Sequence, residues 1–129
     1  MISVIIPVFN RSHYIGECLQ SVFAQTTTDY EVVLVDDGST DNLKGALKPY
    51  DGKIRYFYKE NGGAASARNL GIKKCQGDLV AWLDSDDKWF PYKLELETEI
   101  LKKIPDIGFV YSDFSCFTDR DGVIAKSYI

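Results

Sequence analysis

The first apolar run of the chain, Ile2–Val8 (ISVIIPV), is dominated by β-branched residues and carries one polar side chain, Ser3. Such a run predicts a strand buried on both faces, the kind found in parallel sheets covered by helices on either side. The next segment is helical in spacing: after Ser12, the residues Ile15, Cys18, Leu19, Val22 and Phe23 fall on one face. A second buried strand is predicted over residues 30–35 (YEVVLV), a short helix over 42–47 before Pro49, and a third strand over 54–58. Asn61-Gly62-Gly63 breaks the pattern and opens a small-residue helix over 64–75 that Gly77 closes. A fourth buried strand is predicted over 79–83 (LVAWL), then a helix with Pro91 in its first turn that runs to Lys103. A fifth strand over 107–111 and a hairpin complete the reading; the hairpin has arms 114–117 and 123–125 and the turn Asp119-Arg120-Asp121-Gly122. Strand and helix alternate from the start, so the expected class is α/β: a mostly parallel sheet with helices on both faces.

Bulk properties narrow the function without naming it. The 129 residues fit one domain, and a formal charge of -4 argues against a nucleic-acid partner. Cys18, Cys75 and Cys116 are odd in number and far apart, which favours free thiols over a disulfide framework or a CxxC metal site. The single His13 excludes a multi-histidine zinc site. A strand-like run directly after Met1 leaves no secretory leader to expect, and no apolar stretch has the length of a membrane span. A cytoplasmic location is the expectation. The acidic residues, by contrast, are not evenly spread: Asp36, Asp37, Asp41, Asp84, Asp86 and Asp87 fall in two tight runs.

Both runs sit where a parallel sheet binds ligands, at the carboxyl ends of its strands. The first predicted strand ends in Pro7-Val8-Phe9-Asn10-Arg11, the second in Asp36-Asp37-Gly38-Ser39 and the fourth in Asp84-Ser85-Asp86-Asp87. Side chains alternate along extended backbone, so carboxylates at Asp84 and Asp86 point to one side and form a notch suited to a hard divalent cation. Mg²⁺ or Mn²⁺ would take one or two of these oxygens and complete its shell with phosphate and water. Asp36, directly after the second strand, can accept a hydrogen bond from a ribose hydroxyl or a base N–H. Ser39 to Asp41 are turn and capping residues.

The segment 61–69 (NGGAASARN) joins glycines, a helix start and a cation. Backbone N–H groups at a helix start attract anions, and Arg68 can pair with a diphosphate. The same pattern also describes a tightly packed helix with a surface arginine, since neither a GxGxxG nor a Walker spacing is present. Trp82 and Trp89 read as packing residues.

Together, SVIIPVFNRSHYIGECLQSVFAQT, YEVVLVDDGSTD, NGGAASARNLGIKKCQGDLVAWLDSDD and FPYKLE resemble glycosyltransferase family 2, of the Rossmann-like GT-A fold, over nearly the whole chain. The resemblance implies an inverting transfer of a sugar from a nucleoside diphosphate, UDP above all, to an acceptor hydroxyl. It implies that Pro7, Val8 and Asn10 line the nucleoside pocket, that Asp36 contacts the base and that Arg68 lies near the base or diphosphate. Asp84 and Asp86 become the DxD pair, Asp84 toward ribose and metal and Asp86 the more direct metal ligand, with Mn²⁺ or Mg²⁺ as cofactor. The acceptor would be a glycan or a lipid-linked acceptor of the kind used in envelope polysaccharides, and family members often work at the inner membrane face.

One part of the family's machinery has no match. The general base is an Asp or Glu well downstream of the DxD, and Asp119 and Asp121 read as hairpin turn residues, which leaves Asp113 without a supporting pattern. The expectation is therefore a donor-binding portion, residues 1–129, whose base and acceptor site lie beyond Ile129. A nucleotide-sugar-binding module without turnover is the alternative. A sugar nucleotidyltransferase lacks support because residues 9–12 are not the glycine-rich loop that holds a triphosphate. A receiver domain would carry its acidic pair after the first strand. If further chain covers the last strands, Phe114, Phe117 and Val123 would leave an apolar edge prone to self-association.

Overall fold

The computed structural model describes residues 1–118 in full and residues 122–126 by their backbone. The chain divides into two compact units, Met1–Lys93 and Leu94–Ile129.

In the first unit, four strands form a parallel sheet: β1 (Ile2–Val8), β2 (Tyr30–Asp36), β3 (Arg55–Tyr58) and β4 (Leu79–Trp82), in the order β3-β2-β1-β4. Every residue of β1 is buried, as its apolar run requires of a strand with neighbours on both sides. The path moves from β1 to β2 to β3 in one direction, then returns across the sheet to β4. Right-handed crossovers accordingly set α1 (Ile15–Phe23) and α2 (Leu43–Leu47) over one face and α3 (Ala64–Lys74) over the other. A single turn of 3-10 helix, Lys48–Tyr50, comes after α2.

Packing agrees with that assignment. Ile5, Val33 and Val35 point toward α3 and are fully buried with Ala67, with Phe57, Leu70 and Cys75 around them. Helix and sheet meet so closely that a Cβ on Gly71 would lie 2.3 Å from Ile5 Cγ2. The alternate residues Val4, Ile6, Val8, Val32 and Leu34 form the opposite layer. The buried stripe of α1 is Ile15, Cys18, Leu19 and Val22, the i, i+3, i+4, i+7 pattern of an amphipathic helix.

Two expectations about strands are corrected. β4 is not buried on both faces: Val80 is 39% and Trp82 44% exposed, because α3 packs over β1 and β2 and leaves that face of β4 uncovered among the described residues. Residues 107–111 form no strand. That run is short, is interrupted by Gly108 and has no ladder partner among the described residues, and an unpaired extended segment gains nothing from β-propensity.

In the second unit, α4 (Lys93–Lys103) begins at the boundary, and β5 (Ser115–Thr118) pairs antiparallel with β6 (Gly122–Lys126). The hairpin is as expected; its turn, with Asp119, Arg120 and Asp121, lies outside the described residues. No described helix is long and apolar enough to cross a membrane.

Candidate functional site

Parallel register brings the carboxyl ends of the strands level. Val8 is opposite Asp36, and Asp36 is opposite Tyr58. On the other side of β1, Leu83 N–H donates to Ile5 O at 3.2 Å, which carries the pairing one residue past Trp82 and delivers Asp84 to the rim. The strand order reverses direction between β1 and β4, so the crevice above them is the topological switch point of the sheet.

The β1 end is built mainly of backbone. Pro7 and Val8 are buried in the sheet, and the Val8 carbonyl accepts the Asp37 N–H at 2.8 Å. Phe9, at 43% exposure, is the side chain that turns outward. Asn10 has φ +51, a left-handed conformation that asparagine tolerates better than most residues. Its Oδ1 accepts Thr40 N–H at 2.7 Å and Asp41 N–H at 3.2 Å, and its own N–H donates to Ser39 Oγ at 3.1 Å. Asn10 thus ties the β1 end to the loop after β2.

Asp36 is only 3% exposed. One carboxylate oxygen accepts Ser39 N–H at 2.8 Å and the other accepts the Tyr56 hydroxyl at 2.6 Å. Burial, and then the hydrogen bond and charge of Asp36, push the Tyr56 phenol well above its ordinary value, so it stays a donor. A carboxylate has about four lone-pair positions, and two remain after these bonds.

Asp37, given no role on sequence grounds, organises the next loop. Its Oδ1 accepts Lys59 Nζ at 2.6 Å and Gly62 N–H at 2.9 Å, and its Oδ2 accepts Gly63 N–H at 2.8 Å. The anion held at the entry to α3 is therefore the protein's own Asp37. Burial alone would raise this carboxyl; the Lys59 ion pair and the two glycine N–H groups outweigh it and hold Asp37 below the usual carboxylate range. Two glycines make the loop possible. Gly63 has φ +91 and ψ 163, a region essentially closed to other residues. Gly38, at φ +80, would bring a Cβ within 2.7 Å of Asn61 N.

At the β4 end, each DxD carboxylate meets an arginine. Arg68 NH2 lies 2.7 Å from Asp84 Oδ1, and Arg11 Nε lies 3.3 Å from Asp86 Oδ2. The two aspartates are 53% and 47% exposed, so both ion pairs are open to water. Beneath them, Asp87 N–H closes a turn onto Asp84 O at 3.0 Å, and Cys18 Sγ donates to the same carbonyl at 3.6 Å. Burial, then the charges of Asp87, Asp86 and Asp84, push the Cys18 thiol up to about 12. Asp87 is raised by burial and then by Asp86 and Asp84. The loop is crowded with negative charge, and the arginines offset part of it.

Among the described residues, no three His, Cys, Asp or Glu side chains converge as a ready ligand cage. Two half-exposed carboxylates two residues apart still fit Mg²⁺ or Mn²⁺, because such ions commonly take one or two protein carboxylates and fill the remaining positions with substrate phosphate and water. The structure thus brings together Asn10, Asp36, Arg68, Asp84 and Asp86 from the expected set at one rim. Pro7 and Val8 lie beneath it as support. Arg11, Asp37 and Lys59 were missed: Arg11 and Asp37 adjoin residues already singled out, and no pattern in the sequence marks Lys59.

Comparison with known proteins identifies the family and the fold. The family model described as "Glycosyl transferase family 2" matches residues 3–127. An uncharacterized glycosyltransferase of Rickettsia conorii is 46% identical over 106 residues, which is 81% of this chain and 18% of that protein. The glycosyltransferase TuaG of Bacillus subtilis, named for teichuronic acid biosynthesis, is 38% identical over 133 residues, 100% of this chain and 52% of its own length. The chain therefore spans only part of these relatives. Among solved structures, S. aureus TarS in complex with UDP superposes with a TM-score of 0.76 at 27% identity, covering 92% of this chain and 39% of TarS. The mannosyltransferase PcManGT from Pyrobaculum calidifontis, in complex with GDP-Man and Mn²⁺, has a TM-score of 0.60 at 28% identity, covering 68% of this chain and 28% of that protein. With the sheet order, the polar strand ends and a family match over nearly its whole length, this chain adopts the GT-A fold and belongs to glycosyl transferase family 2.

Proposed function

We propose that residues 1–129 are the donor-binding portion of an inverting, metal-dependent glycosyltransferase that uses a nucleoside diphosphate sugar, UDP-linked above all. The observation that carries this reading is the convergence, at one switch point, of Asp36, the Asp84–Arg68 pair and the Asp86–Arg11 pair. Solved complexes of TarS with UDP and with UDP-GlcNAc support the uridine preference. The PcManGT complex with Mn²⁺ supports the cation.

In this reading the remaining lone pairs of Asp36 accept a base N–H, and the β1 end forms the wall of the nucleoside pocket, with Asn10 at the rim and Pro7 and Val8 supporting it from beneath. Arg68, on the first turns of α3, faces the diphosphate side. Asp84 and Asp86 would hold Mg²⁺ or Mn²⁺, which when bound neutralises charge on the departing diphosphate as a Lewis acid. The acceptor hydroxyl attacks the anomeric carbon from the face opposite the diphosphate. The bond to the phosphate oxygen breaks with its electron pair leaving on the nucleoside diphosphate, and a general base takes the hydroxyl proton. That base is assigned to residues beyond Ile129. The name of TuaG, which refers to teichuronic acid biosynthesis, favours an envelope polysaccharide as acceptor.

Calorimetry with UDP, GDP and dTDP, each with and without Mn²⁺, tests the donor half of the reading. Mn²⁺-enhanced binding with UDP tightest is the expected result. A folded sample that binds none of the three would overturn it.

A further inference from the structure

Arg11 is placed by bonds at both of its ends. Asn10 is held by Ser39 through its backbone N–H and by Thr40 and Asp41 through its side-chain Oδ1, and Arg11 NH1 donates back to the Asn10 carbonyl at 3.2 Å. Its Nε then reaches across the crevice to Asp86 Oδ2 at 3.3 Å. The guanidinium therefore bridges the β1 end and the β4 end over the switch point, while Arg68 holds Asp84 from α3. A divalent cation on Asp86 would sit within a few ångströms of this positive group, where like charges repel strongly even with water nearby. The cation and Arg11 compete for one carboxylate. The pair is also cheap to exchange: Arg11 and Asp86 are 46% and 47% exposed, and exposed ion pairs are weak.

Building on the donor-site reading above, we propose that Arg11 is an exchangeable donor-binding residue. It occupies Asp86 by itself, gives that carboxylate up to a divalent cation arriving with a nucleoside diphosphate, and pairs its planar fork with the diphosphate oxygens. The chemistry suits arginine in both positions, because carboxylate and phosphate present the same spacing of acceptor oxygens to a guanidinium. Arg11 and Arg68 would then flank the diphosphate from the β1 and α3 sides. Without Arg11 the cation loses a competitor and the diphosphate loses a partner, so one substitution moves the two affinities in opposite directions.

The test measures Mn²⁺ binding alone, by the EPR signal of free Mn²⁺, and UDP binding at saturating Mn²⁺, by calorimetry. Both are run on the native chain, Arg11→Ala and Arg11→Lys, with thermal melts to confirm folding. Arg11→Ala is expected to tighten Mn²⁺ alone by about two- to fivefold, the range an exposed ion pair spans. It should weaken UDP with Mn²⁺ by about tenfold, the scale of one lost charge-assisted contact. Arg11→Lys keeps the competing charge and loses the fork, so Mn²⁺ affinity should stay near native while UDP weakens. Unchanged or weaker Mn²⁺ binding in Arg11→Ala, or unchanged UDP binding, overturns the proposal while leaving the donor site standing. A native chain that binds neither Mn²⁺ nor UDP overturns the donor-site reading and this proposal with it.

Discussion

Lys59 Nζ lies 2.6 Å from Asp37 Oδ1, and the same carboxylate accepts the N–H groups of Gly62 and Gly63. One buried charge at the end of β2 therefore fixes the loop that leads into α3, and with it the place of Arg68 on that helix. Rigid support behind a half-exposed guanidinium matters because binding geometry is lost more easily through loops than through helices.

Asp37→Asn should destabilise the fold by about 2 kcal/mol or more, since it leaves Lys59 and a glycine N–H short of a charged acceptor. The pH dependence has a definite sign. Asp37 is lowered in the folded state, so its contribution is complete above its unfolded value, roughly pH 4, and is lost as pH falls through the lower folded value. Urea melts of native and Asp37→Asn chains should differ by a constant amount from about pH 5 to 8 and converge below about pH 4. A gap that widens on acidification would contradict the assignment.

Gly71→Ala should also destabilise, by about 1–2 kcal/mol net. Alanine is the better helix former by about 1 kcal/mol. Its Cβ, however, would stand 2.3 Å from Ile5 Cγ2, and Ile5 is fully buried and branched at that point, so strand or helix must shift. A thermal melt at or above the native midpoint would show that α3 can lift off the sheet without loss.

Tyr56→Phe removes the hydroxyl that donates to Asp36 Oδ2 at 2.6 Å. Asp36 is 3% exposed, so the orphaned oxygen costs about 1–3 kcal/mol of stability. If Asp36 also accepts a base N–H, loss of its orienting partner should weaken UDP more than inorganic diphosphate. Competition calorimetry with the two ligands separates these effects; equal losses for both would remove Asp36 from the base contact.

Much of the fold was legible because its signals were local and strong. The all-apolar β1, the i, i+3, i+4, i+7 stripe of α1 and the Asn61-Gly62-Gly63 break each point to one conformation, and the structure has them. The run 107–111 misled because an apolar segment states a preference for burial and says nothing about a partner strand. At the site, the strand-end aspartates were visible because parallel sheets place ligands there. Arg11 and Lys59 were not, because their meaning depends on which carboxylate lies across 75 or 22 residues of chain, a contact no spacing rule encodes. Asp37 was hidden differently: it stands beside Asp36, and alternation sends the two neighbours to different partners.

The DxD assignment makes the sharpest demand on the two aspartates. Asp86→Ala removes a carboxylate that is 47% exposed and whose side chain bonds to Arg11 alone among the described residues, so the fold should be unaffected within about 0.5 kcal/mol. Its effect should fall on the cation: Mn²⁺ should no longer enhance UDP binding, while without Mn²⁺ the Arg11 guanidinium, freed from Asp86, should hold UDP at least as tightly as in the native chain. Asp84→Ala frees Arg68 from its 2.7 Å partner instead, so it alters the diphosphate from the α3 side, with and without metal. Calorimetric titrations of UDP into both variants, with and without Mn²⁺, therefore give a two-by-two pattern. Full Mn²⁺ enhancement in Asp86→Ala would take that residue out of the metal site, whatever the result for Asp84.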